Sequence, residues 1–287
     1  MTVNFYGNVL AARPGARRVT RDPYMGTDYN EGTLFIADFD FPWCYSGRTI
    51  DIPDGTPIRD VSENADGAFR VHAGSQLSIV DKGIDFSNAN QPETGLEIPA
   101  SVAATIWGSG QNYLISMLCR LPTAGDWNQF GSAIPLLSWS TSSGGFDTPE
   151  LAQIALVKYG ETLVILHLRQ KAINDFQAVG FMTAPAGEKV LLAAWRTNAG
   201  TFTGIRTAST DLLVNSDVRG PDNTANFSAK KGIAGVPVAG WGPGAGAQGM
   251  NNWRLHRFAT EALAISQRDP VAVLNEEWVR LKKRGRV

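Results

Sequence analysis

Asp60, Glu63, Asn64 and Asp66 stand within seven residues of one another. Carboxylates and an amide this close in one loop are oxygen donors of the kind that hold a hard cation such as Ca2+. Their spacing is not that of an EF-hand, and an ordinary polar turn is the plainer reading. The three histidines, His72, His167 and His256, are far apart in sequence, each inside a strand-like stretch. They read as strand histidines rather than as a metal cluster. A glycanase needs a pair of Asp or Glu side chains flanking its scissile bond, as a Glu-x-Asp-x-x-Glu strand would supply. No such strand occurs. Glu150, Glu161 and Glu188 sit singly near turns, Glu276 and Glu277 sit on a terminal helix, and all five read as solvated carboxylates. Gly244-Ala245-Gly246-Ala247-Gln248-Gly249 fits the letters of a dinucleotide-binding loop. The stretch after it, however, is strand-like, where that loop needs a helix to open. No catalytic residue, resident cofactor or dedicated metal ligand is therefore expected, and the chain reads as a non-enzyme.

Other side chains suggest contact rather than catalysis. Trp107, Trp127 and Trp241 lie in glycine-rich, loop-like contexts, whereas Trp139, Trp195 and Trp253 look like core. Loop tryptophans stack on sugar rings, fill subunit interfaces or pack locally. Residues 1–32 cluster Arg13, Arg17, Arg18 and Arg21 with prolines and glycines and show no sustained periodicity. That segment is an extended arm, either disordered or ordered against a neighbouring subunit. Tyr24 and the nearby Tyr6, Met25 and Tyr29 favour the second, because disordered segments hold few aromatics. At the other end Arg280, Lys282, Lys283, Arg284 and Arg286 form a basic tail. Cations at a helix C-terminus are stabilising without a partner; an acidic neighbour or, least of all, nucleic acid are the other readings.

These side chains must be positioned by a β-rich scaffold. The 287 residues carry 43% hydrophobic and 18% charged residues and a formal net charge of −1. A chain of this size buries about 70% of its unfolded surface and needs no covalent staples. Near-neutral charge argues against a general nucleic-acid binder, and no apolar run is long enough for a transmembrane helix. The N-terminus shows no charged-then-apolar secretory pattern. Cys44 and Cys119 read as buried thiols rather than a disulfide or a metal pair.

From Thr33 onward, short apolar runs recur between turn residues. Leu34–Phe41, Ala68–Val71, Gln76–Val80, Gly83–Phe86, Gly95–Pro99, Tyr113–Leu121, Ala133–Ser140, Ala152–Tyr159, Leu163–Arg169, Val179–Thr183, Lys189–Arg196, Phe202–Thr207, Gly232–Val238 and Asn252–Phe258 are the predicted strands. Regular short strands without helical crossovers mean a sandwich or barrel. In the last strand, Trp253, Leu255 and Arg257 are expected on one face, with Arg254, His256 and Phe258 on the other. One helix is expected, over 269–284: Asp269 caps it and Pro270 suits its first turn. Val271, Leu274, Trp278 and Leu281 share one face.

Several segments, in order, resemble the concanavalin A-like, laminin-G-type jelly-roll family over roughly residues 50–284. Asp60-Val61-Ser62-Glu63-Asn64 resembles its early D-x-S-x-N loop. Gly83-Ile84-Asp85-Phe86 with Leu96-Glu97-Ile98-Pro99, Tyr113–Pro122, Leu137-Ser138-Trp139 and Lys189–Thr197 resemble its successive strands, with Cys119 where an aromatic often stands and Trp195 displaced. The closing strand and helix fit as well. The resemblance implies an all-β, two-sheet antiparallel jelly-roll sandwich over 33–287, with the arm at 1–32 and the helix at the end. Such domains serve as lectins, glycan-binding modules, glycoside hydrolases and virion proteins. A fold commonly displayed outside cells, without a secretory signal or a disulfide framework, suggests a bacteriophage virion protein of the tail, fibre or capsid surface. It would be made in the host cytoplasm, act in adhesion or decoration, and contact copies of itself, neighbouring virion proteins and a host-surface glycan. A carbohydrate-binding lectin-like module is the alternative, and a glycanase the third reading.

Overall fold

The computed structural model describes residues 32–123, 126, 133–141, 148–159, 162–172, 175–181, 185–236 and 252–287. The arm residues Arg13, Arg17, Arg18, Arg21 and Tyr24, with Trp127, Trp241, Glu161 and the 244–249 glycine loop, lie outside these. The described residues form two antiparallel sheets. The first contains β1 (Thr33–Asp38), β4 (Ser78–Val80), β5 (Gly83–Asp85), β7 (Tyr113–Arg120), β12 (Lys189–Arg196), β13 (Thr201–Arg206), β14 (Leu213–Asp217) and β16 (Arg254–Ala262), in the order β14-β13-β12-β7-β16-β5-β4 with β1 also on β16. The second contains β2 (Pro57–Ile58), β3 (Gly67–Arg70), β6 (Thr94–Ile98), β8 (Ala133–Ser140), β9 (Glu150–Tyr159), β10 (Thr162–Ala172), β11 (Asp175–Phe181) and β15 (Gly232–Val236), in the order β11-β10-β9-β8-β15-β6-β3-β2. This is the expected two-sheet antiparallel sandwich. Helices α1 (Ala100–Gly108), α2 (Leu263–Ser266) and α3 (Pro270–Lys283) complete it. No helix among the described residues is long and apolar enough to cross a membrane.

Period-2 alternation explains the layers. Tyr113, Ile115, Met117 and Cys119 of β7 and Val190, Leu192 and Ala194 of β12 face the other sheet and join the main core. The intervening Leu114, Leu118, Leu191, Ala193 and Trp195 face outward, where Leu274, Trp278 and Leu281 of α3 cover them. Asp269 caps α3 by accepting from Val271 N at 2.8 Å. Val271 itself, expected on the apolar face, is exposed. Gly95 and Gly235 are partners across β6 and β15, and a Cβ on either would stand 2.3 or 2.4 Å from the facing strand's carbonyl oxygen.

Further expectations change. The register of β16 shifts between Leu255 and Arg257, so that His256 forms a bulge. Phe258 therefore joins Trp253 and Leu255 in the core, while Arg257 turns outward under α3; one extra residue reverses the faces beyond it. Residues 100–108 form a helix that buries Val102, Ala103 and Ile106, so Trp107 lies on α1 rather than in a loop. Glu150 and Glu277 are buried, not solvated.

Glu277 belongs to an ion cluster between α3 and the sheet. Arg257 Nε donates to Glu277 at 2.5 Å and Arg257 Nη1 to Asp38 at 2.7 Å. Arg284 also pairs with Asp38, and Arg286 lies 3.4 Å from Asp40. Of the basic tail, then, Arg284 and Arg286 are folded back onto acidic partners of their own chain. Burial alone would raise the Asp38 carboxyl; Arg257 and Arg284 outweigh it and hold it below the ordinary value. Cys44 and Cys119 are free and buried, and burial pushes both thiols up to about 12.

Arg257→Met removes the cation shared by Asp38 and Glu277, leaving them only Arg284 and Arg280, and is expected to destabilise by about 3 kcal/mol in urea unfolding at neutral pH. The loss should shrink when Asp38 and Glu277 are also made Asn and Gln.

A pH dependence arises from the two buried histidines. Burial depresses His167 and His256 to about 4. In the unfolded chain they titrate near 6.5. Between those values only the unfolded state takes up protons, so stability falls as pH drops from about 6.5 toward 4. Urea titrations at pH 7 and pH 4.5 should show this fall, and His167→Gln should flatten it. Equal midpoints would refute the burial of neutral histidines.

Candidate functional site

The loop 59–66 closes the hairpin of β2 and β3, which pair Pro57 with Ala68 and Ile58 with Gly67. Its centre is Asp60, fully buried. The Asp60 carboxylate accepts from Ile36 N (2.8 Å), Ser62 N (2.9 Å), Ser62 Oγ (2.7 Å), Asn64 N (2.8 Å) and Ala65 N (3.2 Å). Asp60 N donates to Asp66 Oδ1 at 2.9 Å, and Asn64 Nδ2 to Thr33 O at 2.6 Å. The loop is thus tied both to itself and to β1, across more than twenty residues of sequence. Burial pushes the Asp60 carboxyl above its ordinary value, against the pull of its donors. Glu63, whose N donates to Asp60 O at 3.0 Å, takes a left-handed conformation at φ 61°.

Over this knot opens a cavity of about 410 Å³ lined by Trp43, Arg59, Asp60, Glu63, Asn64, Ala65 and Asp66. Trp43 comes from the turn after β1. The Arg59 guanidinium stacks on its ring, 4.2 Å from the centroid, and Arg59 N donates to Cys44 O at 3.0 Å. The walls therefore combine an indole, a guanidinium, an amide and exposed carboxylates. The lining thus offers hydrogen-bond donors and acceptors together with the Trp43 indole, one face of which Arg59 covers.

The four sequence-predicted oxygen ligands do line one cavity. They do not converge as a cation cage, because both Asp60 oxygens and one Asp66 oxygen serve the loop's own donors. Among the described residues no group of three His, Cys, Asp or Glu side chains is arranged to hold a metal. The histidines stay apart. His72 is exposed, with Nδ1 3.2 Å from Ala73 O; His167 lies between the sheets; His256 is in the β16 bulge. Trp107 is half-buried on α1 and packs against the main core. Trp43 and Arg59 were missed by sequence reasoning. Their signal was proximity to the D-x-S-x-N loop, but contact between residues 43 and 59 depends on the path of the chain after β1.

The chain matches no protein-family model and no curated protein. Solved structures similar in fold include Trypanosoma rangeli sialidase in complex with sialic acid, with a TM-score of 0.48 and 12% identity over 84% of this chain and 34% of that one. The CBM2 module of the evolved Dit of Lactobacillus casei BL23 phage J-1 gives 0.44 and 12% over 80% and 95%. Caenorhabditis elegans galectin LEC-6 gives 0.30 and 12% over 60% and 93%. This chain spans about a third of the sialidase chain it matches.

Asp60→Ala leaves the N–H groups of Ile36, Ser62, Asn64 and Ala65 without their acceptor. It is expected to cost about 3 kcal/mol or more in chemical unfolding, and to speed amide exchange selectively across 59–66. Exchange unchanged in that loop would show that Asp60 does not hold it.

Proposed function

We propose that this chain is a glycan-binding β-sandwich that serves adhesion as a non-enzymatic structural component of a bacteriophage virion. The observation that supports binding is the cavity beside Trp43. It presents aromatic, cationic, amide and carboxylate groups on a loop already immobilised by Asp60, so little ordering would oppose binding. Asp60, the deepest carboxylate there, accepts backbone and hydroxyl protons at both oxygens and is not placed for acid or nucleophilic work. The virion half of the reading rests on the sequence: a sandwich of a displayed type, preceded by an arginine- and tyrosine-bearing segment suited to docking on other subunits. Its partners would be copies of itself, neighbouring virion proteins and a host-surface glycan. No bound metal is required for this reading.

A glycan array with the full chain and with Trp43→Ala tests the binding half. The full chain should select a small set of glycans, and Trp43→Ala should weaken them roughly tenfold, as expected for a lost aromatic platform, without releasing reducing ends in either case. Binding unchanged by Trp43→Ala would refute this cavity as the site, and release of reducing ends would refute the non-enzymatic reading. Light scattering on the full chain and on one lacking residues 1–32 tests assembly: an oligomer that becomes a monomer supports the docking arm, and monomers in both cases oppose it.

A further inference from the structure

The space between the sheets is apolar at its centre and polar at the end bounded by β10, β11, β13 and the segment 218–223. Tyr113 Oη lies 2.8 Å from His167 Nε2, and His167 Nδ1 lies 2.9 Å from Phe202 O. Thr201 Oγ1 donates to Gln177 Oε1 at 2.6 Å, and Gly220 N to the same oxygen at 3.2 Å. Arg196, fully buried, donates to Asp222 Oδ1 (2.8 Å), Gly220 O (2.5 Å) and Gln111 O (3.2 Å). Arg219 donates to the same Asp222 oxygen at 2.7 Å. Each of these side chains has a partner.

Arg169 does not share that arrangement. It is only 2% exposed, yet its Nε and Nη2 are buried with no hydrogen-bond partner among the described residues. Those two atoms are one edge of the guanidinium, the edge whose parallel N–H bonds match the two oxygens of a carboxylate. Its charged surroundings do not compensate it. Arg196 repels it, and the attracting carboxylates, Asp222 and Asp175, are half-exposed and already paired with Arg196, Arg219 and Lys171. Glu150, buried at the same end, makes no hydrogen bond to this edge. Burial, then Arg196, lowers Arg169 to about 10, which leaves it charged at neutral pH. A buried, charged guanidinium with two N–H groups that meet no acceptor among the described residues is costly. The chain passes close above it at Gly220, where a Cβ would stand 3.7 Å from Arg169 Nη1.

We infer that the Nε–Nη2 edge of Arg169 is the binding site of a carboxylate, a monoanion that balances the surplus charge of the Arg169–Arg196 pair beneath the segment 218–223. This site is separate from the cavity at Trp43 and stands without the glycan-binding reading.

The test is thermal unfolding of the full chain in sodium acetate and in sodium chloride at matched ionic strength and neutral pH. Acetate should raise Tm by about 5 °C more than chloride at saturation. Arg169→Lys, which keeps the charge and removes the two-pronged edge, should abolish the difference. An equal response of the wild-type chain to both salts, or an acetate response retained in Arg169→Lys, overturns the inference. Should Arg169→Lys not fold, a crystal structure of the wild-type chain grown in acetate decides: planar density bridging Nε and Nη2 supports the site, and water alone there refutes it. Competition of acetate by glucuronate or by a short peptide with a free C-terminus then separates an acidic sugar from a chain end as the source of the carboxylate.

Discussion

A strand that is apolar on both faces cannot leave either face in water, and the two central strands of the first sheet are of this kind. β7 reads Tyr-Leu-Ile-Ser-Met-Leu-Cys-Arg and β12 reads Lys-Val-Leu-Leu-Ala-Ala-Trp-Arg. One face of each must meet the second sheet and the other must meet something else. That second cover is α3, and its necessity shapes much of the molecule. The helix has to follow the last strand, lie across β7 and β12, and be fastened where its apolar stripe ends. The fastening is ionic: Arg257, Asp38, Glu277 and Arg284 meet at the seam, out of water. Such a cluster adds less net stability than a hydrophobic one. It does, however, allow only one seating of the helix, because any shift strands a charge.

The same alternation made most of the sheet legible. β8 and β12 coincide with their predicted ranges, and the other predicted strands differ mainly at their ends. What escaped had weak local signals. β14 is a short, wholly exposed edge strand with little apolar contrast. α1 follows a proline and is rich in Ala, Ser and Thr, so its nine residues resemble a connection. The bulge at His256 leaves no mark in composition; only the demand that Trp253, Leu255 and Phe258 all reach the core reveals it. Asp269, Pro270, Leu274, Trp278 and Leu281 were readable because cap and stripe agree with one another.

The candidate site was legible in a different sense. Sequence picked out Asp60, Glu63, Asn64 and Asp66 as oxygen donors, and they do surround one cavity, but Asp60 has a role that its residue type does not disclose. Its oxygens face inward and collect N–H groups from its own loop and from β1. A carboxylate in this role sets geometry rather than binding a ligand, and its neighbours inherit a fixed frame. Trp43 and Arg59 stack within that frame. A pair stacked on a fixed loop loses little freedom when a third flat group joins it, which is why the rigidity of the knot bears on affinity.

The polar end of the inter-sheet space poses the opposite problem: its sequence signal is confined to His167, which reads only as a strand histidine. His167, Arg169 and Gln177 occur in strands whose other inward residues, Ile165 and Val179, are ordinary core. Alternation assigns all of them inward, and hydropathy alone would then demand that the strand be wrong. The strand is right, and the polar residues gather because β10 and β11 bring them opposite Tyr113, Arg196, Thr201 and Thr203 of the other sheet. Two sheets with complementary polar rows must align in one register, or several donors lose their acceptors together. The hydrogen-bonded members of the layer are explained by that alignment. Arg169 is not: a methionine of similar length would fill its place, whereas the Nε–Nη2 edge meets no acceptor among the described residues and is a cost that alignment does not repay.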